Sequence, residues 1–232
     1  NLIAAIHHLE SRWGVATLDL SSGTFELQEL ASDESLNSEI HRLHPAEVLV
    51  SEEADLPPAL ADHPGVRERP PWDFDHGSAV RTLTQQFHTH DLSGFGCTDR
   101  DAATCAAGCP LSYVQQTQRT DLPHIHSLRL LDQDDSVIID AASRRNLELY
   151  TNIAGGPDNT LFAVMNNTST AMGARLLKRW ISRPIRDRRT REDRLDAIEY
   201  LADGFTFQVL ETPLKQIGDV ERILARVALR SA

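Results

Sequence analysis

The spacing of apolar residues changes once along this 232-residue chain, near residue 136, and that change limits the folds open to it. Before it, apolar residues come in short runs: LIAAI, WGVATLDL, TFELQEL and AEVLVS. Runs rich in β-branched and aromatic residues predict strands, and Phe25 and Leu27 alternate with polar neighbours as a half-buried strand requires. Ser21, Ser22 and Gly23 supply the turn between the second and third runs. Ser32 then predicts the N-cap of a helix over 33–43, with Leu36, Ile40 and Leu43 on one face and Pro45 beyond its end. AEVLVS has the pattern of a buried parallel strand. Strand, strand, strand, helix, strand describes a mixed α/β domain that opens with an antiparallel meander. Five prolines in 56–72 predict a loop or sheet edge, and 78–88 returns to a helical pattern.

After one last apolar run, SVIID, the pattern becomes helical. Thr170 predicts the cap of a helix with Met172, Leu176, Leu177 and Trp180 on one apolar face, ended by Pro184. A second helix is expected from Asp187 to about Ala202, with Leu195, Ile198 and Leu201 inward. A third begins behind Gly218 and spaces Val220, Ile223, Leu224 and Val227 for one face.

Charge divides at the same place. Residues 1–135 hold 8 Lys/Arg and 22 Asp/Glu, a net of −14, with all ten histidines. Residues 136–232 hold 15 and 12, a net of +3, with no histidine. An acidic first half is repelled by phosphate, which disfavours it as a DNA grip. Two folding units are expected, 1–134 and 135–232, joined at the polar string LDQDD. No apolar run approaches the roughly 20 residues of a membrane span. Three cysteines, an odd number, argue against a disulfide framework and fit a reducing cytosol. The chain begins at Asn1 without a leader, so a piece of a longer protein is expected.

Three clusters are candidates for chemistry. His88, His90, Cys105 and Cys109 could nominally ligate zinc, with Cys97 spare. Their intervals are irregular, and CAAGC reads better as the small-residue face of a buried helix. Asp19, Glu47, Glu52 and Glu53 lie near strand ends, as in a two-metal nuclease of ribonuclease H type. The first strand of such an enzyme supplies a carboxylate, however, and LIAAI has none; Asp19 fits a turn residue before Ser21 and Ser22. Residues 175–194 carry nine Lys/Arg against three acids, a footprint for phosphate contact through Arg186, Arg188 and Arg189. Interleaved Asp187, Glu192 and Asp193 suit local ion pairs equally. No phosphate-binding loop, dinucleotide fingerprint or nucleophile elbow occurs.

Longer stretches carry a resemblance. DAASRRNLELYTNIAGGPDNTLFAVMNNTSTAMGARLLKRWISRPIRD, followed by GDVERILARVALR, resembles the start of the core domain of the MutS family of DNA mismatch repair proteins. Upstream, ATLDLSSGTF, HPAEVLVSE, DLSGFG and CAAGCPLSYVQQTQRTDLPHI are similar to its connector domain. The resemblance implies an α/β ribonuclease H-like connector without that fold's active site, followed by an all-α core, or lever, segment. It implies a cytoplasmic parent, a homodimeric clamp driven by ATP and Mg²⁺ that binds mismatched DNA, slides and recruits MutL. These 232 residues match neither the family's Phe-x-Glu mismatch reader, nor its ATPase, nor its DNA clamp. No catalytic, cofactor or metal residue is therefore carried over, and a relay role without enzyme activity is expected. For the MutL-facing surface, Pro110 is expected to split or kink the helical region 100–119. LSYVQQTQR then leaves Gln115, Gln116 and Arg119 outward around Tyr113.

Overall fold

A computed structural model describes residues 2–118 and 122–229, apart from the side chains of Ala59 and Gln118. Two compact units divide the chain, residues 1–132 with 224–232 and residues 133–223.

In the first unit, β1 (Leu2–Leu9), β2 (Arg12–Asp19) and β3 (Thr24–Leu30) form the antiparallel meander. Asp19 closes the second turn by accepting from Ser21 N at 2.9 Å and from the hydroxyls of Ser21 and Ser22. Then α1 (Asp33–Leu43), capped by Ser32, crosses to β4 (Glu47–Ser51), which pairs parallel with β1. The 56–72 segment is more regular than its prolines suggest. It holds a short helix, α2 (Pro58–Ala61), and an edge strand, β5 (Val66–Arg69), parallel to β4. Its prolines sit at element ends, where a missing N–H costs little, so they punctuate rather than break the structure. β6 (Arg129–Leu130) pairs parallel with β3 and completes the order β5-β4-β1-β2-β3-β6.

Both faces of this sheet are covered, which explains the continuous apolar run of β1. Ile6, Trp13, Val15, Leu30 and Val48 pack with Leu36 and Ile40 of α1. On the other face, Ile3, Ala5, Ala16, Leu18, Phe25 and Leu27 pack under α3 (His76–Phe87) and α4 (Asp101–Gln118). Residues 102–111 of α4 are buried without interruption, so the helix is enclosed all round, and Ala, Cys and Gly are the sizes that fit. A Cβ on Gly108 would fall 2.6 Å from Ala79 Cα, and one on Gly14 would fall 1.9 Å from the Ala102 carbonyl oxygen. Of the expected split or kink at Pro110, the split does not occur, and α4 runs 18 residues through it. The lost backbone bond costs about 3 kcal/mol or more. Burial of Leu111 and Val114 beyond it holds the second half against the core.

The second unit contains α5 (Ala141–Asn146), α6 (Leu161–Met165), α7 (Ala171–Ser182), α8 (Arg188–Ala202) and α9 (Thr206–Gln216). The last helix, α10 (Val220–Ala228), spans the division between the units. Thr170 caps α7 through Gly173 N at 3.0 Å, and Asp187 caps α8 through Thr190 N at 2.7 Å. Ser136 bridges Ile185, with Val137 N donating to the Pro184 carbonyl at 2.8 Å. The inward assignments need correction. Leu195 and Ile198 are 62% and 58% exposed, and Trp180 lies at the surface under Arg194, 3.9 Å from the ring centroid. Leu149 is the one buried large hydrophobic side chain among the described residues 133–223. An apolar stripe fixes which face of a helix seeks cover but does not supply the cover.

Candidate functional site

The described residues of greatest interest converge where the second half of α4 meets the β4–β5 edge. Tyr113, on the partly buried side of α4, donates its hydroxyl to Glu47 Oε2 at 2.6 Å. That bond, together with burial, raises the Tyr113 pKa. Arg69, at the end of β5, sets its guanidinium 5.3 Å from the Tyr113 ring centroid. It also pairs with Asp73 at 2.7 Å and donates to Gln116 Oε1 at 2.8 Å. Three sequence-distant elements thus hold one polar face in a fixed geometry. Gln116 is exposed on it and Gln115 is half-buried; Arg119 lies outside the described residues. Glu47 and Arg69 were not legible as its supports, because they lie 66 and 47 residues from their α4 partners, and Asp73 enters only through its bridge to Arg69.

The far end of α4 is anchored separately. Glu29, on the α4 side of β3, accepts from the free backbone N–H groups of Ala102 and Ala103 at 3.1 and 3.4 Å. This carboxylate acts as a helix cap supplied from another element. Arg100 lies 3.7 Å from Glu29 and 3.9 Å from Asp132.

The other clusters do not assemble. Cys97, Cys105 and Cys109 are free and buried, whereas His88 and His90 are exposed. Burial pushes the Cys97 and Cys105 thiols up to about 11, and that of Cys109 higher still. Among the described residues no three His, Cys, Asp or Glu side chains are placed to hold a metal ion. Asp19 is held by its turn serines and Glu47 by Tyr113, so the nuclease reading finds no converging carboxylates. A shallow depression beside α8 is lined by Asp196, Glu199, Tyr200, Ala202 and Asp203, an acidic wall unsuited to phosphate.

Much of the basic stretch is committed locally. Arg175 grips Asp219 with both terminal nitrogens, at 2.8 and 2.6 Å, and reaches Glu221 at 2.6 Å. Lys178 lies over Tyr150, Arg186 pairs with Asp134 at 3.6 Å, and Arg188 pairs with Glu192 at 2.6 Å. Arg189 is exposed and makes no side-chain ion pair among the described residues. Of the three arginines expected to contact phosphate, it alone projects uncommitted.

Comparison with protein families matches both halves. The model of MutS domain II covers residues 1–126, and that of MutS domain III covers residues 142–232. A covered α/β sheet followed by helices is the architecture expected of those two domains in succession. On both grounds the chain belongs to the MutS family of DNA mismatch repair proteins.

Proposed function

We propose that this chain is the connector and the first part of the lever of a MutS-type repair protein, where it relays conformational state and offers a surface to MutL. The carrying observation is the succession of the two family domains along one chain. The antiparallel meander, the α1 crossover and a parallel β4 beside β1 support a ribonuclease H-like connector. The relay element is α4. Its 18 residues span about 27 Å at 1.5 Å per residue. They run from the Glu29–Arg100–Asp132 cluster to the Tyr113–Gln116 face. Enclosed over residues 102–111, such a helix moves as a body rather than bending.

The parent is proposed to be a homodimeric, ATP-driven clamp on mismatched DNA, acting in the cytoplasm. Among the described residues no helix is long and apolar enough to cross a membrane. The residues present do not fit ATP or Mg²⁺, for the sequence offers no phosphate-binding loop and the described residues no carboxylate cluster. Nucleotide chemistry is therefore assigned to other parts of the parent, and this chain is proposed to have no enzyme activity. Arg189, with Arg186 and Arg188 beside it, is the place proposed for any phosphate contact.

The test is recruitment. In the full-length protein, Gln115→Glu, Gln116→Glu or Arg119→Glu should weaken MutL binding while sparing mismatch binding and ATP turnover. Wild-type recruitment after charge reversal across the whole segment would show that the face is misplaced. Mg²⁺-dependent cleavage of nucleic acid by the purified chain would revive the nuclease reading.

A further inference from the structure

Between residues 2 and 132, Trp72 is the one exposed large hydrophobic side chain among those described, at 68%. Its backbone is held firmly. Pro70 and Pro71 fix the entry to a single 3-10 turn, Pro71–Phe74. Asp73 N donates to the Pro70 carbonyl at 3.0 Å, and Asp75 N to the Trp72 carbonyl at 3.3 Å. The next residues are anchored too: Phe74 is 3% exposed in the core, and Asp73 is bridged to Arg69. A large aromatic presented to water on a rigid turn suits an interface anchor, because little entropy remains to be lost on binding.

The surroundings specify what it receives. Glu52 and Glu53 are exposed next to the chain's entry to this turn, where Glu52 N donates to the Arg69 carbonyl at 3.0 Å. Asp75, whose backbone closes the turn onto Trp72, is exposed as well. The Glu52 and Glu53 carboxylates make no ion pair among the described residues. Of the cations of β5, Arg69 is matched by Asp73 and Arg67 turns onto the Val66 carbonyl. Asp75 caps α3 by accepting from Ser78 N at 2.8 Å, with Arg81 and His76 near it. The balance is negative, as it is for residues 1–135 as a whole.

We infer that Trp72 is an aromatic anchor for a partner protein that presents an arginine or lysine side chain, stacked on the indole and flanked by Glu52, Glu53 and Asp75. Arg69 joins this turn to Gln116, so the inference rests on the partner-facing reading of that face and adds the chemistry of what docks there.

The experiment measures the affinity of the full-length protein for MutL over a range of salt concentrations. Trp72→Ala should weaken binding by about tenfold or more, and Trp72→Phe should retain most of it. Glu52→Lys with Glu53→Lys should weaken it several-fold and flatten its salt dependence. Unfolding midpoints should stay at the wild-type value, since the side chain is exposed. Affinity within about twofold of wild type for Trp72→Ala, far below the usual effect of an anchor, overturns the inference. If Gln116→Glu weakens binding while Trp72→Ala does not, the anchor is wrong and the face stands. If neither weakens it, the face itself is wrong. Dimerisation of the protein that Trp72→Ala abolishes would assign the indole to the basic run of a second copy instead, and would equally overturn the partner proposed.

Discussion

Gly14→Ala should damage the connector far more than its one added methyl group suggests. Gly14 lies in β2, opposite Glu29 of β3, where the first turn of α4 crosses the sheet. The new Cβ would fall 1.9 Å from the Ala102 carbonyl oxygen and 2.6 Å from Ala103 N. An ordinary contact begins near 3.4 Å, so the helix end must retreat by about 1.5 Å. Retreat strains the two bonds from Ala102 and Ala103 to Glu29, each contributing about 1 kcal/mol. Overpacking of a site with no free volume adds about 1–3 kcal/mol. Relief from glycine in a strand returns about 0.5–1 kcal/mol. The net loss is about 3 kcal/mol. With a urea m value of about 2 kcal/mol/M, the midpoint should fall by about 1.5 M. Trp13, 4% exposed and bonded to Asp33, is the buried tryptophan whose fluorescence changes as this unit unfolds, Trp72 being already exposed. Gly94→Ala is the control, since a methyl group there would meet no atom within 4 Å, and it should stay within about 0.5 kcal/mol of wild type. A Gly14→Ala midpoint within about 0.3 M of wild type, inside the error of such extrapolations, would refute the close crossing and its Glu29 clamp.

Other outcomes follow from the two units. The three cysteines should react with a thiol reagent at mildly alkaline pH much more slowly in the native chain than in urea, and metal analysis should find no stoichiometric zinc. About one zinc per chain, lost on Cys105→Ala or Cys109→Ala, would contradict this. For Cys105 the folded value of about 11 exceeds the ordinary 9.0, so its contribution to stability is complete below pH 9 and is lost as pH rises through 11. Asp219 is held at about 2, below the ordinary 3.8, by the Arg175 guanidinium. Its contribution is present above about pH 4 and lost as pH falls through about 2, so Asp219→Asn should lower helix content at neutral pH and converge with wild type near pH 2. Exposed Leu195, Ile198 and Val227 should drive concentration-dependent association of the purified chain, measurable by sedimentation. Leu195→Glu with Ile198→Glu should reduce that association, and unchanged sedimentation would place the contact elsewhere.

Local signals carried much of this fold. Ser32 and Thr170 were readable as caps because a cap bonds only three residues ahead. The second and third strands and α1 followed from period and turn chemistry alone. What stayed hidden was nonlocal. The edge strand VRER has too little apolar content to announce itself, and its parallel pairing with β4 depends on the sheet already being present. Pro110 reads locally as a breaker, whereas enclosure of α4 overrides it. Gln115 and Gln116 could be singled out as outward, but the Glu47–Tyr113 and Arg69–Gln116 bonds that fix their surroundings span 66 and 47 residues.

The sheet edges bear on how copies of this chain meet. At one edge, β5 offers Val66, Arg67, Glu68 and Arg69, so any strand added there must cover charged side chains along most of its length. At the other, β6 is two residues long, too short to template a neighbour. Both routes to strand-by-strand growth are thereby blunted. Crowded copies are left to adhere through their helices, in reversible clusters that disperse on dilution, and not as cross-β fibres that seed themselves.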